Sequence, residues 1–564
     1  MRYILFLTII SLLKVYPAIG QGNVTKKYRI QLTDKKNNPY SISEPLSFLS
    51  SKAWERRIKH NIAIESNDLP VNPSYLDSVR ATGAKIHSVS KWLNTVTADA
   101  DSNALMKISK LPFVSKIEKV YQSNGEKRNT AVKDGFSLIN NLTNRYSSKE
   151  NNAYTSQDSI LSYRYNYGLA FNQIDMVGGP CLHNIGYNGK GVIIAIFDAG
   201  FANVDNISFF SNLWSSGRLL GTRDFVNPGA NVFKKGQHGT NVLSTMAANI
   251  NGVYVGTAPE ANYWLVCTED AMSEYPIEED NWVAAAEFAD SAGVDIISSS
   301  LGYTNFDDTS MGHWYWQMDG KTTIIAIGAD IAASKGMIIV NSAGNSANQP
   351  WHYIGTPADA ERVLTVGAVN IDGKYAPFSS VGPTADGRIK PDVVALGNQV
   401  SLISSDNRII SGSGTSFSTP IIAGMMACLV EAHPYNTNIQ LMDAVKKSSS
   451  IYSNPNNMIG YGIPNFLIAH MILSNVSVNN DQIKVFPNPF KSNICTAFIS
   501  SGEKPLTTEI FDVMGKRVFF NDCLISKNGY NTLNFDNLDR LSRGLYFLKI
   551  SSSDLSFSYK LFKQ

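Results

Sequence analysis

The sequence predicts an α/β fold for the central part of the chain, with a parallel sheet covered by helices on both faces. Between residues 163 and 474, apolar segments of strand length alternate with helical segments. This alternation is typical of repeated βαβ units. Residues 21–123 show a shorter mixture of strands and helices, and residues 482–564 show only short strands and turns. We therefore expect a main α/β domain between a small α+β domain and a β-sandwich.

Composition indicates a soluble multidomain protein. A chain of 564 residues exceeds what one hydrophobic core supports. The net charge of +2 and the hydrophobic content of 43% give no reason to expect nucleic acid as a partner. The five cysteines are widely spaced without a C-x-x-C pair, so zinc is not expected. Cys495 and Cys523 could pair with each other, although an odd total leaves at least one cysteine outside such a pair.

Residues 1–20 have the pattern of a secretory signal peptide. Arg2 supplies the positive charge, residues 3–13 are mostly apolar, and residues 18–20 are small or apolar enough for signal peptidase. The apolar segment is too short and too interrupted for a confident membrane span. We expect the mature protein to lie outside the cytoplasm and to contain no membrane span.

The first domain, residues 21–123, precedes a polar linker at residues 124–162. Strands are expected at residues 27–32, 92–98 and 114–121, and helices at residues 45–60 and 102–111. From this pattern alone, the region is an independent small α+β domain. The linker is rich in Asn, Ser and Lys. Its basic pair Lys127-Arg128 is a candidate cleavage site, but the pattern does not single out one bond.

The central region supplies nine regular elements. Strands are expected at residues 192–197, 263–266, 294–298, 337–340 and 363–369, and helices at residues 241–248, 282–292, 324–335 and 419–432. The carboxyl ends of parallel strands meet at one edge of a sheet, where ligands usually bind. We expect functional residues to converge on that edge.

Ser416 lies in a Gly/Ser-rich turn before an apolar helix. Pro420 is expected in the first helical turn, which places Ser416 at the helix N-terminus. Free N–H groups and the positive end of the dipole there favour an oxyanion beside the hydroxyl, as acyl transfer requires. An N-cap serine with no catalytic role explains the same pattern.

Two further residues fall at the ends of elements. Asp198 follows a continuous apolar strand, and His238 stands in a Gly-rich segment before a helix. Alone, the aspartate could cap a turn and the histidine could be structural. Together with Ser416 they follow the chain order Asp, His, Ser, which is the order of the subtilisin catalytic triad.

Four motifs in residues 165–475 resemble those of the subtilase family of serine endopeptidases: Asp198-Ala199-Gly200, His238-Gly239-Thr240, Ser342-Ala343-Gly344-Asn345 and Gly414-Thr415-Ser416-Phe417-Ser418-Thr419-Pro420. The resemblance implies a subtilisin-like fold, peptide or protein substrates, and an acyl-enzyme mechanism that uses Asp198, His238 and Ser416. Asn345 would stabilise the oxyanion, and the backbone of Ser300, Leu301 and Gly302 would pair with an extended substrate.

The resemblance extends to both flanking domains. Residues 21–123 resemble the subtilase propeptide, which assists folding and blocks the cleft. In residues 482–564, strands are expected at 508–511, 517–520, 531–535 and 544–550. Pro487-Asn488-Pro489 and residues 510–516, 544–550 and 560–563 resemble the sorting domain of type IX secretion, which implies outer-membrane secretion machinery as a partner and a secreted or cell-surface location reached via the periplasm. An accessory carbohydrate- or surface-binding module is the alternative.

An acidic segment precedes the helix expected at residue 282. Its residues are Glu269, Asp270, Glu274, Glu278, Glu279 and Asp280. We expect a solvated helix start, while cleft carboxylates that favour basic substrates and oxygen ligands for structural calcium are alternatives. No cofactor and no metal are predicted.

Two other functions fit parts of the sequence. A catalytically silent surface adhesin could be built on this scaffold, although the complete set of motif residues argues against it. A hydrolase of small esters could use the same residues. The sequence does not specify the side chain preferred at the cleavage site or the physiological substrate.

Overall fold

Residues 26–122 form a four-stranded antiparallel sheet with three helices in the computed structural model of the protein. The structure describes residues 26–122, 164–474, 483–500, 502–526, 529–535, 538–553 and 556–564. The predicted signal peptide and the predicted linker therefore lie outside the described residues.

The first domain contains the five predicted elements in their predicted order, together with a helix at Pro73–Ala81 and a strand at Lys85–Ser90 that were not predicted. Its elements are β1 Lys26–Leu32, α1 Ser51–Lys59, α2 Pro73–Ala81, β2 Lys85–Ser90, β3 Thr95–Asp99, α3 Ser102–Ile108 and β4 Val114–Gln122. The sheet order is β2-β3-β1-β4. Its core includes Ile30, Val79, Val96 and Ile108, all fully buried. The apolar positions of α2 and α3 thus pack on one face of the sheet.

The central domain alternates helices and strands. Its first half contains α4 Phe171–Asp175, α5 Gly179–Asn184, β5 Ile193–Asp198, α6 Ser211–Ser215, β6 Leu219–Asp224, α7 His238–Ala247, β7 Asn249–Ile250, β8 Tyr254–Val255, β9 Asn262–Cys267, α8 Ile277–Ala292 and β10 Ile296–Ser299. Its second half contains α9 Ile324–Ser334, β11 Ile338–Ser342, β12 Val363–Val369, β13 Val393–Leu396, β14 Val400–Ile403, β15 Ile409–Gly412, α10 Thr415–Ala432, α11 Asn438–Lys447 and α12 Phe466–Leu473.

The central sheet has seven parallel strands in the order β13-β12-β11-β10-β5-β9-β6. Strands β5, β10, β11 and β12 are buried along their whole length. Helices α7 and α10 pack on one face, and α8 and α9 pack on the other. This is the predicted doubly covered sheet.

Helix α10 runs through the core of the central domain. Among the described residues it is the one helix long and apolar enough to cross a membrane, and 78% of its 18-residue apolar window is buried inside the protein. A buried core helix explains this hydropathy, because such a helix is apolar on all sides.

The C-terminal region consists of two antiparallel sheets. Its strands are β16 Lys484–Phe486, β17 Ile494–Ser500, β18 Lys504–Asp512, β19 Arg517–Ser526, β20 Gly529–Phe535, β21 Gly544–Ser551 and β22 Ser556–Lys563. The sheet orders are β16-β17-β20 and β19-β18-β21-β22. Phe498 and Phe535 from the first sheet meet Ile510 and Leu548 from the second in one buried core. The arrangement is the predicted β-sandwich.

The sandwich packs against helices α5 and α12. Cys495 lies in a buried cluster with Cys181 and Leu467. Its Sγ donates to the Asn534 Oδ1 at 3.1 Å. The Cys523 side chain lies outside the described residues, so the pairing of Cys495 with Cys523 stays a prediction.

Candidate active site

Asp198 is the last residue of β5 and is completely buried at the carboxyl edge of the central sheet. Its Oδ1 accepts from the Ala199 N–H at 2.8 Å, and its Oδ2 lies 2.8 Å from the His238 Nδ1. A carboxylate in such a place needs partners, because burial removes its hydration. These two contacts fix the orientation of the Asp198 carboxylate towards the His238 imidazole.

His238 is the first residue of α7, which begins three residues earlier than the sequence predicts. The Gly239 N–H donates to the Gly200 carbonyl at 3.1 Å, and a Cβ on Gly239 would lie 2.4 Å from that oxygen. Only glycine permits this approach, which brings the helix start against the turn after Asp198. Because a carboxylate only accepts, Nδ1 carries the hydrogen and Nε2 is left as the acceptor.

Ser416 is the second residue of α10, as expected for a serine at a helix N-terminus. The predicted position of Pro420 is wrong: it lies six residues into the helix rather than in the first turn. Proline has no N–H, so the helical hydrogen bond to the Ser416 carbonyl cannot form. The Ser300 hydroxyl donates to that carbonyl instead, at 2.8 Å. The proline therefore frees a backbone acceptor that links the serine turn to the end of β10.

Asn345 follows β11 and is fixed by Thr415. The Thr415 N–H and Oγ1 lie 2.9 and 3.1 Å from the Asn345 Oδ1. A backbone N–H can only donate, so the carbonyl side of the amide must face Thr415 and the Nδ2 must point the other way. The Thr415 Oγ1 also accepts from the Gly344 N–H at 3.2 Å. The amide donor of Asn345 is thus available at the wall of the cavity described below.

Residues 300–302 continue from β10 along the same cavity. Ser300 and Leu301 are buried, whereas Gly302 is exposed. The Leu301 carbonyl accepts from the Asn341 Nδ2 at 3.0 Å, which holds this segment against β11. The contact with β11 therefore holds the segment in place, while Gly302 stays exposed to solvent.

The predicted site residues surround one cavity of about 270 Å³. Its lining includes His238, Asn345 and Ser416. Residues 300–302 form another part of its wall, and Asp198 lies behind His238. The structure thus brings all the predicted site residues together at the carboxyl edge of the sheet.

The prediction of a solvated face for the acidic segment is wrong for its last three residues. Glu278, Glu279 and Asp280 are 1%, 2% and 5% exposed. Asp280 accepts two hydrogen bonds from Arg29, at 2.7 and 2.8 Å. Burial raises the pKa of Asp280 although the Arg29 charge opposes it. The sequence contains no local signal of this pairing, because the two residues are 251 positions apart.

The first part of the acidic segment reaches the cavity. Glu269 and Glu274 belong to its lining. One ligand atom of each, together with one of Glu278, lies within 4.8 Å of the others. These three carboxylates are the described residues that could hold a cation. Carboxylates in the cleft were one of the alternatives that the sequence left open for this segment, and Glu269 and Glu274 take that position.

Comparison with known families agrees with this geometry. Residues 189–462 match the model of the subtilase family, residues 27–134 that of the peptidase S8 propeptide domain of Bacteroidota, and residues 484–564 that of the secretion system C-terminal sorting domain. The central domain is a subtilase domain. The chain is a secreted, subtilisin-like serine endopeptidase with a propeptide and a sorting domain, and that last domain indicates secretion or attachment to the cell surface.

Several characterised proteases are similar to this protein. Subtilisin NAT of Bacillus subtilis subsp. natto is 26% identical over 382 residues, which cover 67% of this chain and 81% of the relative. Subtilisin of Bacillus pumilus is 29% identical over 296 residues, covering 52% and 95%. The crystal structure of MycP1 from the ESX-1 type VII secretion system is 19% identical, covers 55% of this chain and 88% of its own, and has a TM-score of 0.43. The crystal structure of MycP1 from Mycobacterium smegmatis is 18% identical, covers 55% of this chain and 87% of its own, and has the same TM-score of 0.43.

The propeptide docks on helix α8. Glu287 accepts from the Ser90 hydroxyl at 2.5 Å and from the N–H groups of Lys91 and Trp92 at 2.9 and 3.0 Å. Trp92 is 5% exposed and belongs to the core on that face of the catalytic domain. The propeptide thus completes a hydrophobic core that the catalytic domain alone would leave open.

A second group of propeptide contacts is ionic. Arg56 and Arg57 donate to the Asp290 carboxylate at 2.6 to 2.9 Å, and all three side chains are buried. Burial opposes the charge on Asp290, but the two guanidinium groups lower its pKa to about 2. A buried network of this kind fixes orientation, because a charge left without its partner is costly.

Proposed function

We propose that Asp198, His238 and Ser416 cleave peptide bonds through an acyl-enzyme. The Ser416 Oγ attacks the scissile carbonyl carbon while the His238 Nε2 takes its proton. The C–N bond then breaks, the imidazolium returns the proton to the leaving amine, and water repeats the sequence to release the acid. Asp198 orients the imidazole through Nδ1. The observation that carries the proposal is the 2.8 Å contact between the Asp198 Oδ2 and the His238 Nδ1 beside a cavity that Ser416 lines.

The tetrahedral oxyanion would be stabilised by the Asn345 Nδ2 and the Ser416 N–H. The engagement of the Asn345 Oδ1 with Thr415 supports this role, since it leaves the amide donor directed away from Thr415. Donors fixed before the reaction need no reorganisation as charge develops.

The extended substrate would add as a strand beside residues 300–302. Backbone hydrogen bonds give affinity that does not depend on sequence, as in other cases of β-augmentation. Side-chain pockets must then supply any selectivity. All the proposed steps use groups of the chain and water, so we propose no cofactor.

The flanking domains have roles outside the chemistry. We propose that the propeptide inhibits the enzyme until it is removed, because its strand β4 ends against Tyr275, the residue next to Glu274 of the cavity wall. The sorting domain would present the folded enzyme to outer-membrane secretion machinery after its passage through the periplasm.

The triad is tested with Ser416→Ala, His238→Ala and the double variant. Nucleophile and base act as one unit, so each single variant should lose nearly all peptidase activity and the double variant little more. The measurement is kcat/KM on a long peptide and on a simple ester. Losses that multiply in the double variant would contradict the triad, and a wild-type enzyme that cleaves only the ester would indicate an esterase.

A further inference from the structure

The described lining of the cleft is acidic. It includes Glu269 and Glu274, and it contains no lysine or arginine. His238 is its other ionisable group that can carry charge near neutral pH. A cleft that carries charge of one sign raises the local concentration of ligands of the opposite sign. The lining therefore favours a cationic group near Ser416.

A buried hydroxyl lies near the same carboxylates. Tyr303 is 1% exposed, and its hydroxyl has no hydrogen-bond partner among the described residues. Burial, followed by the charges of Glu269, Glu278 and Glu274, raises the pKa of Tyr303 well above its ordinary value. The hydroxyl is thus close to the cluster and stays neutral. A buried polar group of this kind is expected to have a partner, and the neutral hydroxyl oxygen can accept a hydrogen bond from a cationic ligand.

We propose that Glu269, Glu274 and Glu278 form an anionic subsite that binds a lysine or arginine side chain of the substrate on the N-terminal side of the scissile bond. The inference rests on the proposed peptidase function and names its substrate class. Glu269 and Glu274 are half-buried at the cavity wall and would contact the cation directly. Glu278 is buried behind them, where its charge adds to the field.

The direction of the chain assigns the side of the scissile bond. Strand β4 ends at Gln122, and the Tyr121 ring packs on Tyr275 at 5.0 Å between centroids. Tyr275 directly follows Glu274, so the chain leaves β4 at the acidic end of the cleft. A substrate that continues from there towards Ser416 presents its N-terminal side to the carboxylates.

The chain itself contains a sequence of matching charge a few residues after β4. Lys127 and Arg128 follow Gln122 by five and six residues, and six extended residues span at most about 20 Å. This segment is therefore a suitable natural substrate sequence for testing the subsite.

A divalent cation is the other ligand that three carboxylates could bind. Calcium takes six to eight oxygen ligands, whereas, among the described residues, only one ligand atom from each of three carboxylates is shown to converge here. Glu269 and Glu274 lie in the wall of the cleft that Ser416 also lines, and this position favours a substrate side chain. Calcium binding is an outcome of the experiment below.

The experiment compares two peptides with the sequence of residues 121–131. One carries Lys127 and Arg128, and the other carries norleucine and citrulline, which keep the shapes but remove the charges. Processed wild-type enzyme in EDTA should show a kcat/KM about tenfold or more higher for the charged peptide, as for a charge-assisted hydrogen bond. The preference should decrease as salt is added, since charges at a cleft wall are partly screened.

Variants then locate the effect. Glu269→Gln and Glu274→Gln should each reduce the preference several-fold, and the double variant should bring it close to one. Glu361→Gln is the matched control, because it removes a carboxylate that is exposed outside the cleft. It should leave the preference unchanged.

Each outcome has a distinct meaning. Equal cleavage of the two peptides by the wild type, or a preference that survives in the double variant, would overturn the anionic subsite and leave the peptidase function standing. Calcium that abolishes the preference and raises the melting temperature only when Glu269 and Glu274 are intact would assign the cluster to a metal and overturn the inference. Failure of the wild type to cleave either peptide above the Ser416→Ala background would instead contradict the proposed function.

Discussion

At the scale of single residues, Asn345 differs from the triad because its proposed contact forms only as charge develops. Asn345→Ala should therefore lower kcat by about 10²–10³-fold, the loss known for removing the oxyanion donor of subtilisin, with KM little changed. Steady-state kinetics on a long peptide, with a melting curve to confirm folding, would measure this. A loss carried mainly by KM would make Asn345 a contact to the ground state of the substrate.

Local sequence patterns located the candidate residues because each stands at the end of an element. Asp198 is the last residue of a buried strand, and Ser416 lies in the first turn of a helix. Both are therefore expected at the carboxyl edge of the sheet. The role of Thr415 was not predictable, although it lies in a recognised motif. Its contact with Asn345 joins positions 70 residues apart, and no periodicity indicates such a contact.

At the scale of elements, the longest buried strand of the central sheet was predicted best, whereas the short strand β13 was not predicted although it is fully buried. Strand β12 matches its predicted bounds, Val363–Val369. Helix α8 begins at Ile277, five residues before the predicted start, because its acidic first turn is buried rather than solvated. Arg29 of the propeptide neutralises that turn, and a pairing over this distance in sequence is set by tertiary structure.

The contact between β2 and α8 should make propeptide binding depend on pH. The His87 Nε2 lies 3.0 Å from the Asn281 Oδ1, and its Nδ1 lies 3.3 Å from the Lys27 Nζ. Burial, and then the Lys27 charge, lower the pKa of His87 below its ordinary value of 6.5 in the docked state. Protonation therefore favours the released propeptide. Docking is at full strength above pH 6.5 and weakens as pH falls through that value, by at most about tenfold per pH unit.

Inhibition of the processed enzyme by separately added propeptide would measure this. The inhibition constant should rise between pH 7.5 and 5.5 more steeply for the wild type than for His87→Gln, which cannot be protonated at position 87. Asp280 and Glu287, whose pKa values burial raises, are present in both proteins, so the comparison isolates His87. An equal pH dependence in the two would exclude His87 as its source.

At the scale of the whole molecule, the three parts are joined by buried contacts. Arg57 links Asp290 on α8 to Asp68 of the propeptide, and Lys335 after α9 also reaches Asp68 at 3.0 Å. On the opposite flank, Ile468 and Met471 pack against Ala497 of the sandwich. The three parts are distinct in topology but are not independent in stability.

The last prediction distinguishes the role of the sandwich in export from its packing against the catalytic domain. Deleting residues 484–564 should leave a protein that is retained in the periplasm, since the sorting domain indicates export. Its melting temperature should also fall, because Leu467, Ile468 and Met471 are each at most 2% exposed and would lose their cover.

Ala497→Asp in the full chain is the matched control: it loosens the same interface but keeps the sandwich, so it should be exported although less stable. Cell fractionation with activity on a short peptide would follow both proteins. Normal extracellular accumulation of the truncated chain would show that the sandwich is an accessory binding module, and periplasmic retention of Ala497→Asp would show that loss of packing, rather than loss of an address, stops export.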